Sequence, residues 1–118
     1  MSKILIVDDD KATATLLRTL FEMEGLQAVI CSRADQVVGD MRREHPDVLL
    51  MDAHLAEIDS LGILHQIKAD AELRRTPVVM VSGMDRSPEF LAAGAADFVL
   101  KPFKPSDLMA VLKMHLQD

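Results

Sequence analysis

The chain has no tryptophan, no tyrosine and a single cysteine among its 118 residues. One thiol cannot form an internal disulfide, and without indole or phenol rings there is little to stack on a flavin. Basic residues are also scarce: 13 Lys and Arg stand against 19 Asp and Glu, a formal net charge of -6. That balance argues against nucleic acid or an anionic membrane as direct partner and favours cations. Long apolar runs are missing too. The first, Ile4-Leu5-Ile6-Val7, stops after four residues, too short for a signal peptide or a membrane span. His45, His65 and His115 lie in separate helical contexts with no Cys/His cluster, so zinc chemistry has no footing. Repeats, low-complexity tracts and linkers are absent.

What remains is the composition of one ordinary folded domain spanning residues 1–118, with 49% apolar and 27% charged residues. Cys31 follows Ala28-Val29-Ile30 and reads as a buried, reduced thiol, which fits a cytoplasmic location. The eight methionines read mainly as core filler, and Arg42-Arg43 and Arg74-Arg75 as solvated helix faces or ends.

Four short apolar runs share one design. Ile4 to Val7 ends at Asp8, Asp9 and Asp10; Val48 to Met51 ends at Asp52; Val78 to Val81 ends at Ser82; Phe98 to Leu100 ends at Lys101. The first three do not alternate as a half-solvated strand would, so each reads as a buried strand, and Phe98 to Leu100 as a further strand, all with a polar group where they end. Gln27 to Cys31 supplies the remaining strand. Helical periodicity separates them. Asp10 caps a first helix through Leu16, Leu17, Leu20 and Phe21 that stops at Gly25. Ser32 with Asp35 resembles a capping box for a second helix, carrying Val37, Val38 and Met41 and closed by Pro46. A third carries Leu61, Ile63, Leu64, Ile67 and Lys68 up to Thr76-Pro77, a brief fourth spans Pro88 to Ala93, and Ser106 caps a fifth that runs almost to Asp118.

Alternating strands and helices imply an α/β fold: a doubly wound, five-stranded parallel sheet of order 2-1-3-4-5 in the flavodoxin-like manner. The winding then reverses between the first and third strands, placing Asp8, Asp9 and Asp52 in one crevice flanked by Ser82 and Lys101. Adjacent carboxylates repel one another or recruit a cation, and an all-oxygen set suits Mg²⁺ or Mn²⁺. A metal on one side and an ammonium on the other make a clamp for phosphoryl transfer, in which a carboxylate can be the nucleophile.

The motifs Ile4-Leu5-Ile6-Val7-Asp8-Asp9-Asp10, Pro46-Asp47-Val48-Leu49-Leu50-Met51-Asp52, Val79-Met80-Val81-Ser82-Gly83 and Gly94-Ala95-Ala96-Asp97-Phe98-Val99-Leu100-Lys101-Pro102-Phe103 occur in this order across the whole chain. Together they resemble the receiver domain of two-component response regulators, of the chemotaxis-regulator type. The resemblance implies a phosphoacceptor signalling domain limited to its own phosphotransfer and autodephosphorylation. In it Asp52 takes phosphate from a sensor histidine kinase or a phosphotransfer protein. It implies Mg²⁺ (or Mn²⁺) on Asp9, Asp52 and the backbone carbonyl of His54, with Asp8 acting mainly through water. It further implies Lys101 paired with Asp52 or its phosphate, a cis Lys101-Pro102 bond, Ser82 moving to the phosphoryl oxygen, and Phe98 swinging inward. The output face would be the fourth helix, fifth strand and fifth helix, roughly Pro88 to Leu116, offered to a downstream protein or a fused effector domain.

Two stretches depart from that pattern. Leu55-Ala56 and Asp59-Ser60 stand where the family commonly has Met-Pro and Asp-Gly, with the glycine displaced to Gly62, so a less rigid loop after Asp52 is expected. The segment between Ser82 and Lys101 is short, so the fourth helix is expected to be short or irregular. His54 and Met84 are placed to border the phosphoryl group and set its lifetime. Three other readings use the same elements. A pseudo-receiver would act without phosphorylation and would be marked by loss of Asp9, Asp52 or Lys101, all of which are present. A haloacid-dehalogenase-type phosphatase would use Asp8 and Asp10, leave Asp52 idle and lack room for a cap. A flavin binder would meet acids where its phosphate should sit.

Overall fold

The computed structural model of the chain describes residues 1–116. Five strands, β1 (Lys3–Val7), β2 (Gln27–Cys31), β3 (Val48–Asp52), β4 (Val78–Ser82) and β5 (Asp97–Leu100), form one parallel sheet of order β2-β1-β3-β4-β5. The topology is the one that the alternation of apolar runs and helical periods implies. A feature the sequence reading lacks is a separate antiparallel pairing of His54–Leu55 with Ile58–Asp59, a small hairpin directly after β3.

Because successive strand residues face opposite ways, the sheet divides its side chains between two cores. Leu5, Val7, Leu49, Met51, Val78 and Met80 point to one side. There they meet helices α2 (Val37–Glu44), α3 (Leu61–Ala69) and α4 (Ser87–Ala92) through Met41, Leu64 and Phe90. Ile4, Ile6, Val48, Leu50, Val79 and Val81 point to the other side, against helices α1 (Lys11–Met23) and α5 (Pro105–His115). Both faces of β1, β3 and β4 are therefore covered, which is why their runs are continuously apolar, whereas β5 at the sheet edge is half-buried and leaves Leu100 exposed. Each fully buried Leu, Ile or Val contributes roughly 1.5–3 kcal/mol relative to exposure.

Several helix details differ from the sequence reading. In α1 the buried stripe is Ala14, Leu17 and Phe21, while Leu16 lies 59% exposed; spacing alone does not say which of two adjacent leucines faces in. The Ser32/Asp35 capping box does not form. Instead Arg33 stays extended and holds Asp35 at 2.9 Å, and a 3-10 turn (Ala34–Gln36) leads into α2. Ser106 does not cap α5 either: the helix starts at Pro105, whose fixed φ and missing N–H suit a first helical position. Helix α3 ends at Ala69, well before Thr76-Pro77, because the Asp70 carboxylate accepts the amides of Glu72 and Leu73 and turns the chain. Asp10 does cap α1, accepting from the Ala12 and Thr13 amides. Cys31 is 2% exposed and its thiol is pushed up to about 11 by burial. Helix α4 is short, at six residues. Helix α5 ends at His115, with Leu116 extended, and Gln117 and Asp118, toward which the apolar period runs, lie outside the described residues.

Gly94, which turns the chain from α4 into β5, has φ +106, and a Cβ there would sit 3.0 Å from Cγ of Lys68. Gly94→Ala is expected to lower stability by about 1–2 kcal/mol. Gly39, on the exposed side of α2 with open space around it, should respond oppositely: Gly39→Ala is expected to raise stability by up to about 1 kcal/mol. Urea unfolding midpoints of the two variants check both signs.

Candidate functional site

The strand register brings the polar ends level. Val7 pairs with Met51, Asp52 with Val81, and Ser82 with Leu100. The next residue after β1 is Asp8 and after β5 is Lys101. Asp8, Asp52 and Lys101 consequently line one narrow cleft, together with Thr13 and Phe103.

At its centre Nζ of Lys101 donates to Oδ2 of Asp52 at 2.6 Å. The other carboxylate oxygen, Oδ1, accepts the backbone N–H of His54 at 2.9 Å. The Asp52 side chain is 12% exposed and that of Lys101 35%, so the pair is far less screened than a surface contact. Partial burial lowers the Lys101 pKa, but the hydrogen bond and charge of Asp52, with the charges of Asp8 and Asp10, outweigh it and the net shift is upward. Asp8 is buried, and its pKa is raised. Burial is the main cause, opposed by the Asp10 amide bonded to it and reinforced by the Asp52 charge, with Lys101 lowering and Asp9 raising it further.

Asp9 behaves differently. Its exposed side chain turns to the loop after β3, where Oδ2 accepts the backbone N–H of Ala56 at 2.7 Å. Among the described residues no three Asp, Glu, His or Cys side chains converge as a ready-made metal cage. The donor set nevertheless fits a hard cation. All three side chains offer oxygen only, and a single ammonium, that of Lys101, stands against the three carboxyl groups. Mg²⁺ characteristically takes one or two carboxylates and completes its octahedron with water and phosphate oxygens.

The loop after Asp52, expected to be less rigid, is instead tied at several points. Ser60, fully buried, donates its hydroxyl to the carbonyl of Asp52 at 2.5 Å and its amide to the carbonyl of Ala53 at 2.9 Å. Asp59 accepts from the amide of Leu61 and from both terminal nitrogens, Nη1 and Nη2, of Arg86, the closer at 2.9 Å. Arg86 also bonds Glu89 and lies 4.9 Å over the ring of Phe90. Of these groups Ser60 is the one that departs from the family pattern, so serine in place of glycine here adds a bond where loosening was expected. From the sequence Ser60 is only a departure from glycine and Arg86 carries no signal; that a hydroxyl at a position expected to be glycine could bond the Asp52 carbonyl is what the structure adds.

Ser82 is buried, and its hydroxyl accepts the amide of Met84 at 3.1 Å while its carbonyl accepts the amide of Lys101. It stands at the strand end but makes no bond to Asp52. Phe98 is half-buried, its ring 6.0 Å from that of Phe90. The Lys101–Pro102 bond is cis. His54 and Met84 are both exposed.

A doubly wound sheet with acids at its switch point and a lysine against one of them marks the class, and sequence comparison agrees. The description "Response regulator receiver domain" matches residues 4–113. The phosphate regulon transcriptional regulatory protein PhoB of Rhizobium meliloti is 31% identical over 120 residues, covering 99% of this chain and 53% of PhoB. The chain spans about half the length of the curated relatives it matches. Among solved structures, the BeF3-activated N-terminal receiver domain of Klebsiella pneumoniae RstA superposes with a TM-score of 0.89 at 28% identity, covering 99% of this chain and 100% of that one. The receiver domain of sensor histidine kinase PA1611 from Pseudomonas aeruginosa, with magnesium in its active-site cleft, gives 0.84 at 27% identity, covering 96% and 95%. The chain belongs to the receiver domain family of two-component response regulators.

The raised pKa of Asp8 has a stability consequence. The folded protein binds this proton more tightly than the unfolded chain, so the penalty is full above the folded pKa and fades as pH falls toward the ordinary Asp value of about 3.9. Asp8→Asn is expected to stabilise the cation-free protein at pH 7 by on the order of 1 kcal/mol. The gain should shrink between pH 7 and pH 4 in urea melts with EDTA present.

Proposed function

We propose that Asp52 is the phosphoacceptor of a single receiver unit formed by residues 1–118, charged by a sensor histidine kinase or a phosphotransfer protein in the cytoplasm. The observation that carries this reading is the contact of Lys101 with Asp52, 2.6 Å long, beside Asp8. In the transfer an Asp52 oxygen attacks phosphorus, the bond from phosphorus to the donor histidine breaks, and the leaving imidazole nitrogen takes a proton. Both Asp52 oxygens are engaged beforehand, Oδ1 by a fixed backbone amide and Oδ2 by the ammonium on a flexible stem. Oδ2 is the oxygen that can be freed, and Lys101 then follows the negative charge onto the phosphoryl group.

In this reading Asp8, Asp9, Asp52 and the His54 carbonyl hold Mg²⁺ or Mn²⁺, which supplies charge neutralisation to the phosphoryl oxygens. The Ser82 hydroxyl turns to donate its O–H to a phosphoryl oxygen, and Phe98 moves inward against Phe90. The altered surface is α4, β5 and α5, read by a downstream protein or a linked effector domain, with no contact between this domain and nucleic acid. The chain acts as a signalling phosphoacceptor, its only catalysis being its own phosphotransfer and autodephosphorylation. The presence of Asp9, Asp52 and Lys101, with Lys101 on Asp52, weighs against a phosphorylation-independent module.

Incubation with Mg²⁺ and a small acyl phosphate should give an acid-stable, base-labile adduct by intact mass. Asp52→Asn should give none, and Lys101→Ala a rate lower by about 10²-fold or more. No adduct on the wild-type chain, even from a phosphorylated kinase, overturns the reading. His54 and Met84 flank the cleft, so their joint replacement should change the adduct's half-life several-fold in a dephosphorylation time course.

A further inference from the structure

The Ala56 amide points at a carboxylate 47 residues earlier in the chain. Ala56 and Glu57 join the paired His54–Leu55 and Ile58–Asp59, and Ala56 takes φ 57, a left-handed conformation that a residue with a Cβ adopts only where its surroundings require it. That conformation accompanies the bond of its N–H to Oδ2 of Asp9 at 2.7 Å. The turn is not free to relax. Ser60 fastens one strand of the hairpin to the carbonyls of Asp52 and Ala53, and Arg86 holds Asp59 from the neighbouring loop. Asp9 is exposed, and a carboxylate at such a position ordinarily samples several rotamers. Here one of its oxygens is held by a backbone donor while Oδ1 carries no protein hydrogen bond among the described residues.

We propose that the backbone amide of Ala56 is a positioning group for the divalent cation: it pre-orients Asp9 so that its second oxygen meets the metal. This rests on the reading of Asp9 as a cation ligand. A donor that fixes a ligating carboxylate before the metal arrives removes part of the ordering cost of binding. Residue 56 must then supply an N–H and accept a positive φ. Glycine meets both conditions, and proline meets neither.

The test is Mn²⁺ binding to the unphosphorylated chain, followed by the loss of the free-ion electron paramagnetic resonance signal. Ala56→Gly should bind within about twofold of wild type, and Ala56→Pro about tenfold more weakly. In an Asp9→Asn background Ala56→Pro should cause no further loss, an outcome that general loosening of the loop would not produce. Should proline disturb the fold by circular dichroism, replacing Ala56 by lactic acid turns the amide into an ester and removes only the N–H; the same weakening is expected. Wild-type affinity in the proline or ester variant, or equal losses with and without the Asp9 carboxylate, overturns the proposal. If wild type and Asp9→Asn bind Mn²⁺ alike, Asp9 is not a ligand, and the site reading fails along with the proposal.

Discussion

Like charge held together at the end of a hydrophobic sheet is the constraint on which this structure turns. Asp8 and Asp52 end adjacent strands, and both strands are buried on both faces, so neither acid can retreat without pulling apolar residues into water. The Lys101 ammonium, delivered by the fifth strand, offsets part of the repulsion. The core thus supplies the energy that keeps the acids close, and the acids in turn make the edge receptive to a cation and to a transferring phosphoryl group.

The sheet order and the convergence of Asp8, Asp52, Ser82 and Lys101 on one edge were legible in the sequence because both follow from a repeated pattern: an apolar run, then a polar residue, then a helical period. Parallel topology with right-handed crossovers leaves such a pattern few arrangements. Which side chains bond one another was less legible. Ser32, Asp35 and Ser106 are good capping residues, yet the caps fail, because Arg33 claims Asp35 and Pro105 begins the last helix one residue before Ser106. Local propensity offered candidates, and neighbours decided among them.

The loop after Asp52 shows the same limit from the other side. Read as a sequence, Ala56 and Ser60 are losses: no proline to stiffen the turn, no glycine to ease it. In three dimensions both are gains, since an alanine has the amide that proline lacks and a serine has a hydroxyl that reaches the Asp52 carbonyl. No spacing rule reveals a backbone N–H aimed at a carboxylate 47 residues away. The short α4 is likewise secured from outside itself. A six-residue helix has little stability alone, and it is positioned by Phe90 in the core and by Arg86 bridging Glu89 to Asp59.

The buried state of Cys31 reaches beyond folding. Cys31 is 2% exposed and burial pushes its thiol up to about 11, so at neutral pH the reactive thiolate is scarce. With neither tryptophan nor tyrosine in the chain, the molecule is optically and chemically quiet. A single cysteine or tryptophan introduced on α4 or beside Phe98 would report from that place alone, making this receiver a blank background on which the movement of one surface can be watched.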